Sequence, residues 1–460
     1  MPGLFTLMPQ QRQLVRWARR RSAIPIWMAM RLGKTLSAKR WMDTRPGAHR
    51  ILVVAPLAAI PGWYTQLTAD GVSERSMAVL TGTWRQRERA FERGVTDQAR
   101  WFLINYEGLT LKGRKTKSGK PKAVPADIAR LPWDGVILDE SPKIRNPKAN
   151  VTRVCLDYLS QARYTACLSG LPNPEGGENF VTQMLFLFGE FMGCRDFWSW
   201  RQEHMQPMGG GGWVLKGKTI GPLRAEVKRL SFMMSKKDAG IGSKLIRETR
   251  FVALPSAVMR EIDRARTHLE VGDKLTNIIL ESLTWQTQLA GGCYPHDDSF
   301  QHSIKTRELV YLATTELARE PLVVAARYTA ELEAAILALR KAKISCGLVH
   351  GQLKDNAGTV QAFQRGEFRV LVCQPKVLQM GVDLSRSSTM ICLSRWWDHE
   401  VNAQFEERTE HPAKKEPRLV VDIVARDTVD EDIVLALAEK TATAKMFTRR
   451  FLQLVRRRML

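Results

Sequence analysis

Short β-branched runs, each followed by a turn signal and then a stretch of helical periodicity, recur along the chain and restrict its fold more than any other feature. The first series is AIPIWMAM (23–30), RILVVAP (50–56), WFLINY (101–106), DGVILDE (134–140) and YTACLSG (164–170). The second is PLVVAARY (321–328), ISCGLVHG (344–351), FRVLVCQP (368–375), STMICLS (388–394) and RLVVDIVA (418–425). Apolar runs that lack polar alternation read as strands covered on both faces, the condition of a parallel sheet. Strand–helix alternation occurring twice therefore predicts two α/β lobes, each a doubly wound parallel sheet. The 460-residue length agrees, because single cores stop growing at roughly 250–300 residues.

Between the two series the strand signal fades. Helical patterns such as AVMREIDRARTHLE (257–270) dominate there, and Gly209–Gly212 reads as a flexible loop. The expected organisation is an N-terminal lobe over 1–205, a basic helical insertion and linker over 206–303, and a C-terminal lobe over 304–460.

The composition is that of an ordinary globular protein except for a formal net charge of +23, which favours a polyanionic partner. No apolar stretch approaches the ~20 residues of a spanning helix, and the N-terminus has no basic segment followed by a long apolar block. Neither membrane insertion nor secretion is expected. The seven cysteines form no CxxC pair, so their spacing points to neither a disulfide framework nor a zinc site.

Directly after the first strand run comes Met30-Arg31-Leu32-Gly33-Lys34-Thr35, followed by a helical pattern. A strand, a turn carrying Gly-Lys-Thr and a helix N-terminus is the setting in which backbone amides cradle phosphates. Lys34 is expected on the β/γ-phosphates and Thr35 on Mg²⁺. A second element, DGVILDES (134–141), is an apolar strand ending in two acids. This arrangement suits Mg²⁺ binding through Asp139 and polarisation of a water by Glu140.

The order of motifs resembles the superfamily-two helicases, and within them the Swi/Snf-like ATPases, including compact forms carried by bacteria and their phages. The resemblance begins with Leu7-Met8-Pro9-Gln10-Gln11, similar to the family's L-x-P-x-Q segment. It continues through ILVVAPLAAIPGWYTQL (51–67), NYEGL (105–109), DESPKIRNPKA (139–149) and LSGLPNPEGGENFVTQMLFL (168–187). In the rear half HGQ (350–352), QAFQRGEFRVLVCQ (361–374), QMGVDLS (379–385) and QFEERTEH (404–411) follow in family order.

The resemblance implies two RecA-like lobes with ATP and Mg²⁺ in the cleft between them. Gln11 would read the adenine. Lys34, Thr35, Asp139 and Glu140 would come from the front lobe, and Gly381, Asp383, Gln404 and Arg408 from the rear. It further implies an ATP-dependent DNA helicase or translocase acting on duplex, forked or branched DNA. Such a protein would work as a monomer, in the cytoplasm of a bacterial or phage-infected cell, and its insertion could engage a DNA-bound protein. Two departures stand out. Arg31 replaces a glycine of the phosphate loop, and His411 replaces the second arginine of QxxxRxxR, leaving Arg408 as the main finger with Arg31 or Arg395 as candidates to compensate. A nucleic-acid binder with a weakened ATPase is therefore the alternative reading.

Basic residues cluster in LKGRKTKSGKPK (111–122), with Arg114, Lys115 and Lys117, and again at Lys216, Lys218, Lys236 and Lys237. Such clusters suit contact with the phosphate backbone without sequence readout. Trp63, Trp84, Trp198, Trp200 and Trp213 are candidates for stacking on bases.

Overall fold

The computed structural model describes residues 5–115, 121–170, 178–208, 212–268, 270–271, 274–275, 279–294, 304–353, 355–378, 382–397, 399–410 and 416–438. The chain divides into two compact units, Met1–Ile241 and Gly242–Leu460. Residues 206–241 of the expected insertion thus belong with the first unit, and 242–303 with the second.

The first unit carries β1 (Ala23–Met28), β2 (Ile51–Ala55), β3 (Met77–Leu80), β4 (Trp101–Asn105), β5 (Thr110–Lys115), β6 (Pro121–Pro125), β7 (Gly135–Asp139), β8 (Tyr164–Ser169), β9 (Met205–Met208), β10 (Gly212–Leu215) and β11 (Phe232–Met234). Seven of these form one sheet in the order β11-β1-β8-β7-β2-β4-β3, with every pair parallel. The remaining four make two antiparallel hairpins, β5–β6 and β9–β10.

The continuous apolar runs have the predicted cause. In β2, Ile51, Val53 and Ala55 enter one core, and Leu52 and Val54 enter the core on the opposite face. Trp101 and Leu103 of β4 likewise face one way, and Phe102 and Ile104 the other. Helices cover both faces, so no residue of these strands is left polar by default.

The second unit carries β12 (Leu245–Val252), β13 (Glu270–Val271), β14 (Lys274–Leu275), β15 (Leu322–Ala325), β16 (Cys346–Val349), β17 (Val370–Cys373), β18 (Thr389–Cys392) and β19 (Arg418–Ala425). Its main sheet runs β12-β19-β18-β15-β17-β16, again all parallel. Leu322 and Val324 of β15 face one core, and Val323 and Ala325 the other.

All ten strand runs anticipated from sequence are present. In the two main sheets the strands not anticipated, β3, β11 and β12, lie at edges, and the strands of the small hairpins, β5, β6, β9, β10, β13 and β14, were not anticipated either. β12 alternates between partly covered and exposed positions, with Arg247, Glu248 and Arg250 in its LIRETRFV sequence. An edge strand needs no continuous apolar run, so the signal that marks the central strands is absent from it. The Gly209–Gly212 loop falls outside the described residues except for Gly212, which begins β10. Among the described residues no helix is long and apolar enough to cross a membrane.

Ion pairs inside the second unit fix its helices to the sheet. Lys305 Nζ lies 2.5 Å from Asp430 and donates to the Leu393 carbonyl at 2.7 Å, with both side chains nearly inaccessible. Arg395 bridges Asp422 and Glu406, and Arg247 adds a second guanidinium on Glu406. Breaking one partner of such a pair is costly because the other charge stays buried.

Glu331 is a different case. Its carboxylate accepts from Ser394 Oγ at 2.6 Å and from the Tyr328 amide at 3.2 Å, yet burial pushes it up to about 7. A carboxyl raised above its unfolded value adds stability below that value, and the gain disappears as pH rises through about 7. Glu331→Gln keeps both acceptor contacts without the charge. Its thermal midpoint relative to wild type is expected to climb between pH 4.5 and 8, by an equivalent of up to about 3 kcal/mol. A pH-independent difference in melting curves would show that Glu331 does not titrate in this window.

Candidate nucleotide site

The residues expected to hold a nucleotide in the first unit gather at the carboxyl ends of β1 and β7, which flank β8 in the sheet. Ligands of open α/β sheets bind outside these strand ends. After β1 the chain turns through Arg31 and Gly33, both left-handed, with φ of 63° and 80°. It then enters the helix Lys34–Asp43. Leu32 points into the core, so its contribution to a ligand would be limited to its backbone.

Lys34 Nζ donates to the Met28 carbonyl at 2.9 Å, which folds the side chain back over the loop. Met30 and Thr35 are half-buried, and Thr35 is the second residue of the helix. Gln11 closes the loop from the other side. Its Oε1 accepts from the Met8 amide at 2.7 Å, and its Nε2 donates to the Gly33 carbonyl at 3.3 Å. A Cβ added at Gly33 would lie 2.0 Å from Gln11 Nε2, so this position is glycine for its φ and for space together.

Asp139 ends β7. Trp63 Nε1 donates to its Oδ2 at 2.8 Å, and the Glu140 amide donates to its Oδ1 at 3.0 Å. The Tyr106 hydroxyl donates to the Asp139 carbonyl at 2.8 Å. Burial raises the Asp139 pKa, while the Trp63 bond, the Lys34 ammonium and the Glu140 amide act against that rise. Lys34 and Asp139 are thus electrostatic neighbours, brought together from positions far apart in sequence. Glu140 is left-handed at φ 49°, which turns the chain into the short helix Ser141–Ile144. A carboxylate and a hydroxyl are hard oxygen donors, so Asp139 and Thr35 fit Mg²⁺ in kind, and a cation would oppose the upward shift at the half-buried Asp139.

Three features of this site carried no sequence signal for their role. Trp63 lay in an anticipated motif and among the candidates for base stacking, but its ring is buried and its N–H is spent on Asp139. Tyr106 is likewise buried on the Asp139 carbonyl. Ser141 is fully buried, its hydroxyl oxygen 2.5 Å from the Gln183 side chain and 3.2 Å from the Leu168 carbonyl, tying the acidic turn to the end of β8 and to the helix Glu178–Phe188.

In the second unit Asp383 accepts from the Ser385 amide at 3.0 Å, and its carbonyl accepts from Gln364 Nε2 at 2.5 Å. The Leu384 amide donates to the Arg408 carbonyl at 3.0 Å, so three motif segments meet here. Gln404 lies half-buried on the helix His399–Glu406, and Arg408 in the 3-10 turn that follows. Gly381 and His411 lie outside the described residues. Arg395 is not the spare arginine proposed above: it is buried and committed to Asp422 and Glu406.

Of the basic positions, Lys218 and Lys237 are exposed and Lys236 is half-buried. Lys216 is engaged otherwise, donating to the carbonyls of Gln202 and Glu203 at 3.1 and 2.6 Å at the end of the helix Phe197–His204. Arg114 and Lys115 lie on β5, with side chains outside the described residues, as is the whole of Lys117. Trp200 is buried, and Trp213 is half-buried under the Arg201 guanidinium at 4.3 Å; Trp84 and Trp198 are exposed.

A phosphate loop followed by an acidic strand end, on the first of two RecA-like sheets, is the plan of a helicase-type nucleotide-dependent motor. The SNF2-related domain model matches residues 11–252, and the helicase conserved C-terminal domain model matches residues 304–411. The chain belongs to the SNF2-related family.

Among curated proteins it is 21% identical over 309 residues to the SWI/SNF-related matrix-associated actin-dependent regulator of chromatin subfamily A-like protein 1 of Drosophila melanogaster, covering 66% of this chain and 40% of that protein. It is 26% identical over 186 residues to the chromatin structure-remodeling complex protein SYD of Arabidopsis thaliana, covering 39% of this chain and 5% of the other. The chain therefore spans well under half the length of these relatives. The Hef helicase domain of Pyrococcus furiosus shares its fold at 13% identity, TM-score 0.50, over 93% of this chain and 97% of that one. A SWI2/SNF2 ATPase core of Sulfolobus solfataricus, solved with dsDNA, matches at 17% identity and TM-score 0.45, over 95% and 92%.

Two substitutions in the loop are predicted to act in opposite directions. Arg31→Gly removes a left-handed non-glycine residue and is expected to stabilise the first unit by about 1 kcal/mol, a rise of ~2–4 °C in its melting midpoint. Gly33→Ala combines the same conformational penalty with the clash on Gln11 and is expected to lower the midpoint. Differential scanning calorimetry of both variants decides this, and equal shifts of one sign would contradict the loop geometry.

Proposed function

We propose that the chain hydrolyses ATP and uses the reaction to move along duplex DNA. The juxtaposition of Lys34 and Asp139 beside a glycine-shaped loop carries this reading, together with membership of a helicase-type family. In it, Lys34 meets the β- and γ-phosphates, Asp139 and Thr35 hold Mg²⁺, and Glu140 orients the attacking water. Gln11 reads the base. Asp383, Gln404 and Arg408 of the second unit, with Gly381, are proposed to take part in ATP turnover. Mg²⁺ supplies charge neutralisation on the phosphate oxygens when bound. The protein's own part is to position the water and to present a cation where negative charge develops.

The net charge of +23 supports a polyanionic track, and the exposed Lys218 and Lys237 are candidates for backbone contact. The slope of log affinity against log salt is expected to flatten by roughly 0.9 for each phosphate contact removed by a charge-neutralising variant.

Steady-state ATPase assays with duplex, forked, branched and single-stranded DNA test the proposal. Lys34→Ala and Glu140→Gln are each expected to lower stimulated turnover by about 100-fold or more while DNA binding persists. Unchanged turnover in both variants refutes the assignment. Arg31 favours a second reading, because a left-handed arginine stands where the related motors place glycine. That reading is a DNA binder with a weakened ATPase, and its signature is tight binding with no turnover on any of the four DNAs.

A further inference from the structure

Outside the nucleotide site, the first unit brings three side chains of different donor chemistry to one point. Phe191 and Cys194 exchange backbone hydrogen bonds of 2.8 and 3.1 Å across Met192 and Gly193, whose φ values are 50° and 81°. This tight two-residue turn holds Cys194 in place. The helix Phe197–His204 then ends beside it with Glu203 and His204. The Cys194 thiol, a Glu203 carboxylate oxygen and a His204 ring nitrogen lie within 4.8 Å of one another.

We propose that Cys194, Glu203 and His204 form a binding site for a borderline-soft divalent cation of the zinc class. The spacing fits. Sulfur and oxygen ligands at about 2.3 and 2.0 Å from a tetrahedral zinc stand about 3.5 Å apart. Cys194 Sγ and Glu203 Oε2 are 3.4 Å apart, and the Met192 carbonyl oxygen lies 3.4 Å from His204 Nε2, at hand as a fourth ligand or as the group that orients the ring. The His204 ring also packs against Trp200 at 5.1 Å between centroids, which limits its rotation.

The carboxylates of Glu203, Asp196 and Glu190 also place negative charge around the Cys194 thiol. On binding, the sulfur–metal bond forms and the thiol proton leaves to solvent. Thiolate and carboxylate then balance the two positive charges. One soft sulfur in the set disfavours Mg²⁺ and Ca²⁺.

The consequence is a staple. The metal would tie the 191–194 turn to the end of the helix Phe197–His204, the same end that Lys216 covers from the β9–β10 hairpin. None of this depends on nucleotide hydrolysis.

The test uses the full chain stripped with a chelator and then titrated with zinc alone. Calorimetry is expected to show one equivalent bound, with affinity lost by about tenfold or more in Cys194→Ser and His204→Gln. Cobalt(II) is expected to give a thiolate charge-transfer band that Cys194→Ser abolishes. Glu203→Gln, at an exposed position where misfolding is not a concern, is expected to weaken zinc binding while leaving the melting curve of the metal-free protein unchanged. Absence of binding in wild type, no cobalt–thiolate band, or equal zinc binding by wild type and all three variants overturns the site.

Discussion

Asp139 sits at the end of a strand whose other residues are all buried, and the candidate nucleotide site depends on what sets its charge. Burial raises its pKa. The fold sets against burial one indole N–H, one backbone N–H and the ammonium of Lys34, each from a different segment. A tryptophan in this position gives a large buried surface and a single donor, so packing and electrostatics are served by the same side chain. The loop after β1, the helix carrying Trp63 and the strand β7 are consequently fixed to one another around a single carboxylate.

The two sheets supply the rigidity that this arrangement requires. Central strands bury alternate residues in cores on opposite faces, so a register slip by one position would exchange the contents of two cores. Turns at their carboxyl ends are free to carry polar groups because the strands beneath do not need them for stability. In the second unit, Arg395 serves the same end differently, holding the helix of Gln404 against β19 through Glu406 and Asp422.

How much of this was legible in the sequence depends on what each residue contacts. Nine of the ten anticipated strands are central, and they declared themselves because burial on both faces leaves no room for polar alternation; β16, the tenth, is an edge strand that carries an apolar run nonetheless. The Gly33-Lys34-Thr35 turn and the Asp139-Glu140 pair were readable for a similar reason, since their types and their place after strands are dictated locally. Trp63, Tyr106 and Ser141 were not, because their roles arise from long-range contacts that no spacing encodes. Arg395 misled for the same reason: an arginine beside two tryptophans looks available until its carboxylate partners, 11 and 27 residues away, are seen. Lys216 was one of many surface cations in the sequence, and only the structure shows it closing a helix end.

Gln11 has one amide nitrogen, and in this structure the Gly33 carbonyl is among its acceptors. A purine that recruits the second hydrogen of that nitrogen would share one side-chain amide with the peptide group immediately preceding Lys34. Identity of the base and curvature of the phosphate cradle would then be joined through one planar group, so a ligand lacking the matching ring edge would meet a differently held loop even where its phosphates are the same.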